Sequence, residues 1–150
     1  MVHTITAWFL SQAAMASVLG DWFFIKKDNT TGDCQIYKGD AHNLFGNICD
    51  QSIKDIEPTV QTLQALVCTN LALSVIYFFA TYLKEEMIFF KILLSFVVFV
   101  IGLITCILWH TTDKENMPSG VNYFGVGWYF QLVVVVFALT GALLNFTGYP

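Results

Sequence analysis

The sequence predicts an all-α membrane protein, an antiparallel four-helix transmembrane bundle carrying one small disulfide-closed loop with β character. Three observations predict it. First, 56% of the residues are hydrophobic and only 12% are charged, whereas a soluble domain carries about 25% charged residues. Second, four apolar runs are each about long enough to cross a bilayer core of about 30 Å. Third, the polar residues are concentrated: Lys26 to Thr59 holds Asp28, Asp33, Asp40, Asp50, Asp55 and Glu57, as well as Cys34 and Cys49. A chain of 150 residues is one domain by length, here a single four-span unit, 1–150.

The first span is read over about residues 5–25. Ala14-Met15-Ala16 resembles a signal-peptidase site, but no lysine or arginine precedes it and the apolar run continues through Trp22-Phe23-Phe24-Ile25, so the segment reads as an uncleaved first helix. Ala13 and Ser17, and Ala16 and Gly20, stand four apart, a spacing of small residues that lets a second helix approach closely. Asp21 and Trp22 are expected at the headgroup level, as an interfacial charge and an aromatic anchor.

The main polar loop, 26–59, ends in Asp55-Ile56-Glu57-Pro58. An acidic residue before proline is a helix-start signal, since proline lacks the N–H that a first turn leaves unpaired. The second span follows at about 60–83. Asn70 lies halfway across it, and its amide is expected to hydrogen-bond to a neighbouring helix, the alternative being a place in a ligand or ion path. Lys84-Glu85-Glu86 is a turn so short that spans two and three must be antiparallel neighbours. The third span covers about 87–109. Cys68 and Cys106, alone in their spans, read as small packing residues. A second polar loop, 110–123, contains the turn Pro118-Ser119-Gly120. The fourth span, about 124–146, carries the small pair Ala138 and Ala142.

With four spans, both loops share one side of the membrane and both termini the other. Lysines 26, 27, 38, 54 and 114 lie on the loop side against Lys84 and Lys91 on the terminal side, which favours cytoplasmic loops. Cys34 and Cys49, the two cysteines outside the spans, point the other way, because a loop disulfide persists in an oxidising compartment. The sequon Asn29-Thr30-Thr31 implies the same side as that disulfide, although a second sequon, Asn145-Phe146-Thr147, lies at the opposite face. The loops are therefore placed outside and the termini in the cytoplasm, at the plasma membrane, with an organellar inner membrane as the alternative. Closing about fifteen residues by a disulfide contributes about 3 kcal/mol in the chain-entropy model. The segments Cys34–Tyr37 and Leu44–Cys49 are compatible with two short strands joined by the turn at Lys38-Gly39-Asp40.

This layout, together with Asn122-Tyr123-Phe124-Gly125-Val126-Gly127-Trp128-Tyr129-Phe130-Gln131-Leu132 at the entry to the fourth span, resembles the claudin, peripheral myelin protein and epithelial membrane protein superfamily. The resemblance implies a left-handed four-helix bundle with a small β-sheet from the first loop. The Gly-Leu-Trp signature ahead of the first loop cysteine is absent; the nearest likeness, Leu44-Phe45, precedes the second.

Catalysis is disfavoured on chemistry. There is no Cys-x-x-Cys redox pair. His3, His42 and His110 are poorly placed to pair as haem ligands. Asp21, Glu57 and Glu86 fall at span edges, leaving no intramembrane carboxylate for a proton relay. No cofactor or metal is expected. With no arginine and a net charge of −4, nucleic-acid binding has no support. The expected role is non-enzymatic: an accessory subunit that packs against a larger membrane protein (a channel, a receptor or a second copy) and is otherwise bathed in lipid. The loop, with Tyr37, Leu44 and Phe45, is the expected contact. Cell–cell junction adhesion or a paracellular barrier is the second reading, and a structural subunit of an organellar complex the third.

Overall fold

A computed structural model of the chain describes residues 2–26, 28–31, 34–45, 57–83, 85–112, 121–122 and 124–148. Four helices make the body: α1 Val2–Leu19, α2 Glu57–Ala80, α3 Ile88–Thr111 and α4 Val126–Phe146. They have 18, 24, 24 and 21 residues, or about 27 to 36 Å at about 1.5 Å per residue. Each is long and apolar enough to cross a membrane, and the chain is a multi-pass membrane protein.

The helices form a ring in which α1 packs on α2 and α4, and α3 on α2 and α4. The contacts step in opposite directions along each pair. Between α1 and α4, Ser17 meets Gly127 and Phe9 stacks on Phe137. Between α3 and α4, Cys106 meets Trp128 and Ser95 meets Ala138. The bundle is therefore antiparallel around the ring. A 3₁₀ turn, Glu85–Met87, leads from α2 into α3, and the Lys91 ammonium reaches back to cap the Leu83 carbonyl at 3.0 Å.

The first span ends earlier than its apolar run. Helical hydrogen bonding stops with Gly20 N–H to Ala16 O at 2.8 Å, and Asp21–Ile25 is a strand, β1. A continuous apolar run fits a buried strand as well as a helix, and Trp-Phe-Phe-Ile after a glycine has strong β propensity. The remaining strands are β2 Asn29–Thr31, β3 Cys34–Ile36, β4 Ala41–Asn43 and β5 Val121–Asn122. β1 is the centre of a three-stranded antiparallel sheet in the order β4-β1-β5, so both loops are tied into one sheet. β2 and β3 pair separately.

The turn expected at Lys38-Gly39-Asp40 is present, but it joins strands of different sheets. β3 does not pair with β4, and the second strand is Ala41–Asn43, ahead of Leu44. Its partner is β1, because β1 offers the longer apolar strand on which to register.

The buried apolar residues fall into two clusters. One, at the loop end, combines Trp22, Phe23 and Ile25 of β1 with Leu44, Leu63, Val67 and Trp109. The other fills the rest of the bundle around Leu10, Ala14, Tyr77, Val98, Val134 and Ala138.

Candidate recognition face and the polar layer beneath it

The sheet at the loop end is seated on the bundle by Trp22. Its side chain is fully buried, its Nε1–H donates to the Ser17 carbonyl at 2.8 Å, and its ring meets Trp109 edge-on at 6.3 Å. Trp22 is thus a core residue and not the interfacial anchor expected from its position. The reason is the early end of α1, which turns the chain back over the bundle. Gly125 N–H donates to Trp22 O at 3.0 Å, fixing the entry to α4 against the same strand.

The small residues singled out in the sequence serve this junction. Ser17 is fully buried, and its hydroxyl lies 2.9 Å from Gly127 O and 2.8 Å from Gln131 Oε1. A Cβ on Gly20 would come within 3.0 Å of the Gly127 nitrogen, so α1 and α4 approach through two glycines. Ala13, Ala138 and Ala142 are buried, while Ala16 is half-buried.

Between the two apolar clusters lies a polar layer. Asn70 on α2 is fully buried and Gln131 on α4 nearly so. Both amide nitrogens crowd the α carbon of Gly102 on α3, each 3.3 Å from where its Cβ would stand. Among the described residues, the expected interhelical hydrogen bond from Asn70 is not formed: neither its Nδ2 nor its Oδ1 has a partner there, and Gln131 Nε2 has none either. A second polar group sits near the terminal end, where Asn145 Nδ2 donates to Tyr77 Oη at 3.0 Å and to Gly141 O at 2.8 Å.

Of the three residues expected to face a partner, Tyr37 and Phe45 stand in the open, 51% and 48% exposed. Leu44 does not. It is fully buried in the loop-end cluster, and its carbonyl accepts a hydrogen bond from Gln64 Nε2. It neighbours an exposed aromatic in sequence, but its own side chain points into the bundle. Cys68 corrects in the other direction: it is exposed on the outer surface of α2, whereas Cys106 is buried as expected.

Asn29 opens β2 opposite Ile36, and Cys34 opens β3 opposite Thr31. Cys49, and with it the proposed Cys34–Cys49 bridge, lies outside the described residues, as does Pro118-Ser119-Gly120. Lys84 also falls there, while Glu85 begins the 3₁₀ turn.

No protein-family model matches the sequence, and no curated protein does.

Proposed function

We propose that this protein is a claudin-like, non-enzymatic accessory subunit of a larger membrane complex, with its loop side outside the cell and its termini in the cytoplasm. The observation that carries the reading is the exposure of Tyr37 and Phe45 beside a sheet locked to the bundle through Trp22. Aromatic side chains presented on a rigid support are the usual anchors of protein–protein contacts, since they bury large area at small entropic cost. The helices add a second surface. Phe79, Phe89, Phe96 and Phe146 all face outward, where lipid or a partner's helices can cover them.

The test is a photo-crosslinking residue at position 37 or 45, in cells carrying two differently tagged copies. An accessory subunit gives an adduct to a different membrane protein of the same cell, and the adduct from position 45 is weakened by Tyr37→Ala and that from position 37 by Phe45→Ala. An adduct joining tagged copies across co-cultured cells replaces this reading with adhesion. No adduct from either position removes the loop as the contact surface.

A further inference from the structure

A cavity of about 440 Å³ opens beside the sheet, lined by Phe24, Ile25, Lys26, Lys38, Gly39 and Phe124. Its shape follows from the backbone. Gly39 N–H donates to Ile25 O at 2.8 Å, and Ile25 N–H to Asp40 O at 2.9 Å. The turn is thereby held against the end of β1. Gly39 takes φ +94°, and nothing lies within 4 Å of where its Cβ would be. This turn brings Lys38 back to the same cavity as Lys26, which follows β1 directly. Phe124 closes the wall from the second loop, stacked on His110 at 5.4 Å and packed on Trp128 at 4.3 Å.

Among the described residues, the lining therefore comprises two lysines, one glycine and three apolar residues. Among the described residues, Asp28 and Asp40 beside the cavity shape the turn and do not line it. Asp28 Oδ1 accepts from Lys38 N–H at 2.6 Å, and Asp40 Oδ2 from Tyr37 N–H at 3.0 Å. The depth is set by α4, which begins at Val126, two residues after Phe124. A helix of that length spans a hydrocarbon core of about 30 Å, so Phe124 and the cavity stand at headgroup level on the loop side.

We infer that this cavity binds a phospholipid of the loop-side leaflet, its phosphate between the Lys26 and Lys38 ammonium groups and the first part of its acyl chain against Phe24 and Phe124. Two lysines lining one cavity match a phosphate oxyanion. The aromatic walls match the adjoining chain, and the volume lies within the range of small-molecule sites, about 300 to 1,000 Å³. A soluble acidic peptide would satisfy the lysines but leave apolar walls at the membrane boundary uncovered. This site is independent of the partner contact at Tyr37 and Phe45.

The experiment is native mass spectrometry of the full chain in detergent, titrated separately with phosphatidylglycerol and with diacylglycerol of the same chains. The expected result is one retained phosphatidylglycerol per chain and no retained diacylglycerol. Lys26→Gln/Lys38→Gln should weaken retention at least about tenfold. Lys38→Gln alone, at an exposed side chain, should show part of that loss without a question of folding. Lys91→Gln, at the opposite end of the bundle, should retain lipid like the wild type. Equal retention of diacylglycerol, or undiminished binding by the double variant, overturns the site. Displacement of the lipid by inorganic phosphate alone at equal concentration overturns the phospholipid as occupant.

Discussion

The Trp22 indole lies over the α carbon of Gly127, so that a Cβ at position 127 would fall on the ring nitrogen and its neighbouring carbon. This contact joins three parts of the molecule: the strand that follows α1, the first turn of α4 and, through the Nε1 bond to Ser17 O, the end of α1 itself. It explains why a glycine is needed inside a helix start. Gly127→Ala should displace the indole and destabilise the fold by about 1 to 3 kcal/mol, the usual cost of overpacking. Scanning fluorimetry in detergent measures the loss, and intrinsic tryptophan emission should shift to the red as Trp22 gains solvent. An unchanged melting temperature would place Trp22 elsewhere.

Gly20→Leu tests the same junction from the other helix. Its Cβ would meet the Ala16 carbonyl at 2.8 Å and the Gly127 nitrogen at 3.0 Å, both backbone atoms that cannot rotate away. The variant should separate α1 from α4 and lose more stability than Gly127→Ala, where a side chain takes the strain. Retention of the wild-type melting temperature would show that the two helices are not in contact here.

Much of this was legible in the sequence. Four apolar runs gave four helices, and the proline at 58 marked the start of α2 within a few residues. The spacing of Ala13, Ser17 and Gly20 marked a contact face. What stayed hidden was the change of backbone state after Leu19. Trp22-Phe23-Phe24-Ile25 is apolar throughout, with Trp22, Phe23 and Ile25 buried from both faces of β1, and a run without periodicity does not separate strand from helix. Gln131 and Gly102 were missed as site residues for a related reason. A single amide or glycine in a span becomes meaningful only when three helices bring it beside Asn70. Leu44 and Phe45 likewise look alike in sequence, and only the fold sends one inward and the other out.

The unpaired amide of Asn70 leads to a prediction of opposite sign. A buried polar group without a partner costs about 1 to 3 kcal/mol, and an apolar replacement of similar size removes that cost. Asn70→Leu should therefore be neutral or stabilising by up to about 2 kcal/mol in a detergent melt, despite altering a fully buried residue. A marked destabilisation would mean that water or another group satisfies the amide in solution. Gly102→Ala should be destabilising, since its new methyl would lie 2.9 Å from Val135 Cγ2 and 3.3 Å from both amide nitrogens.

One of the two sequons is held inside the bundle, which bears on the side of the membrane the loops occupy. Asn145 is 5% exposed, its amide held by Tyr77 and Gly141 inside the bundle, so it cannot accept a glycan in the folded protein. Asn29 lies in β2, which pairs with β3. Intact mass of protein from a secretory-competent cell should show a glycan removed by glycosidase, abolished by Asn29→Gln and retained in Asn145→Gln. That second variant should instead be destabilised by about 1 to 2 kcal/mol, seen as a lower melting temperature, through the loss of its bonds to Tyr77 and Gly141. The same spectrum should gain two hydrogens on reduction, about 2 Da, if Cys34 and Cys49 form the loop disulfide that an oxidising compartment favours. An unglycosylated chain with free thiols would invert the topology, leaving the lysine excess on the loop side as the orienting signal, and the accessory role at the cell surface would fall with it.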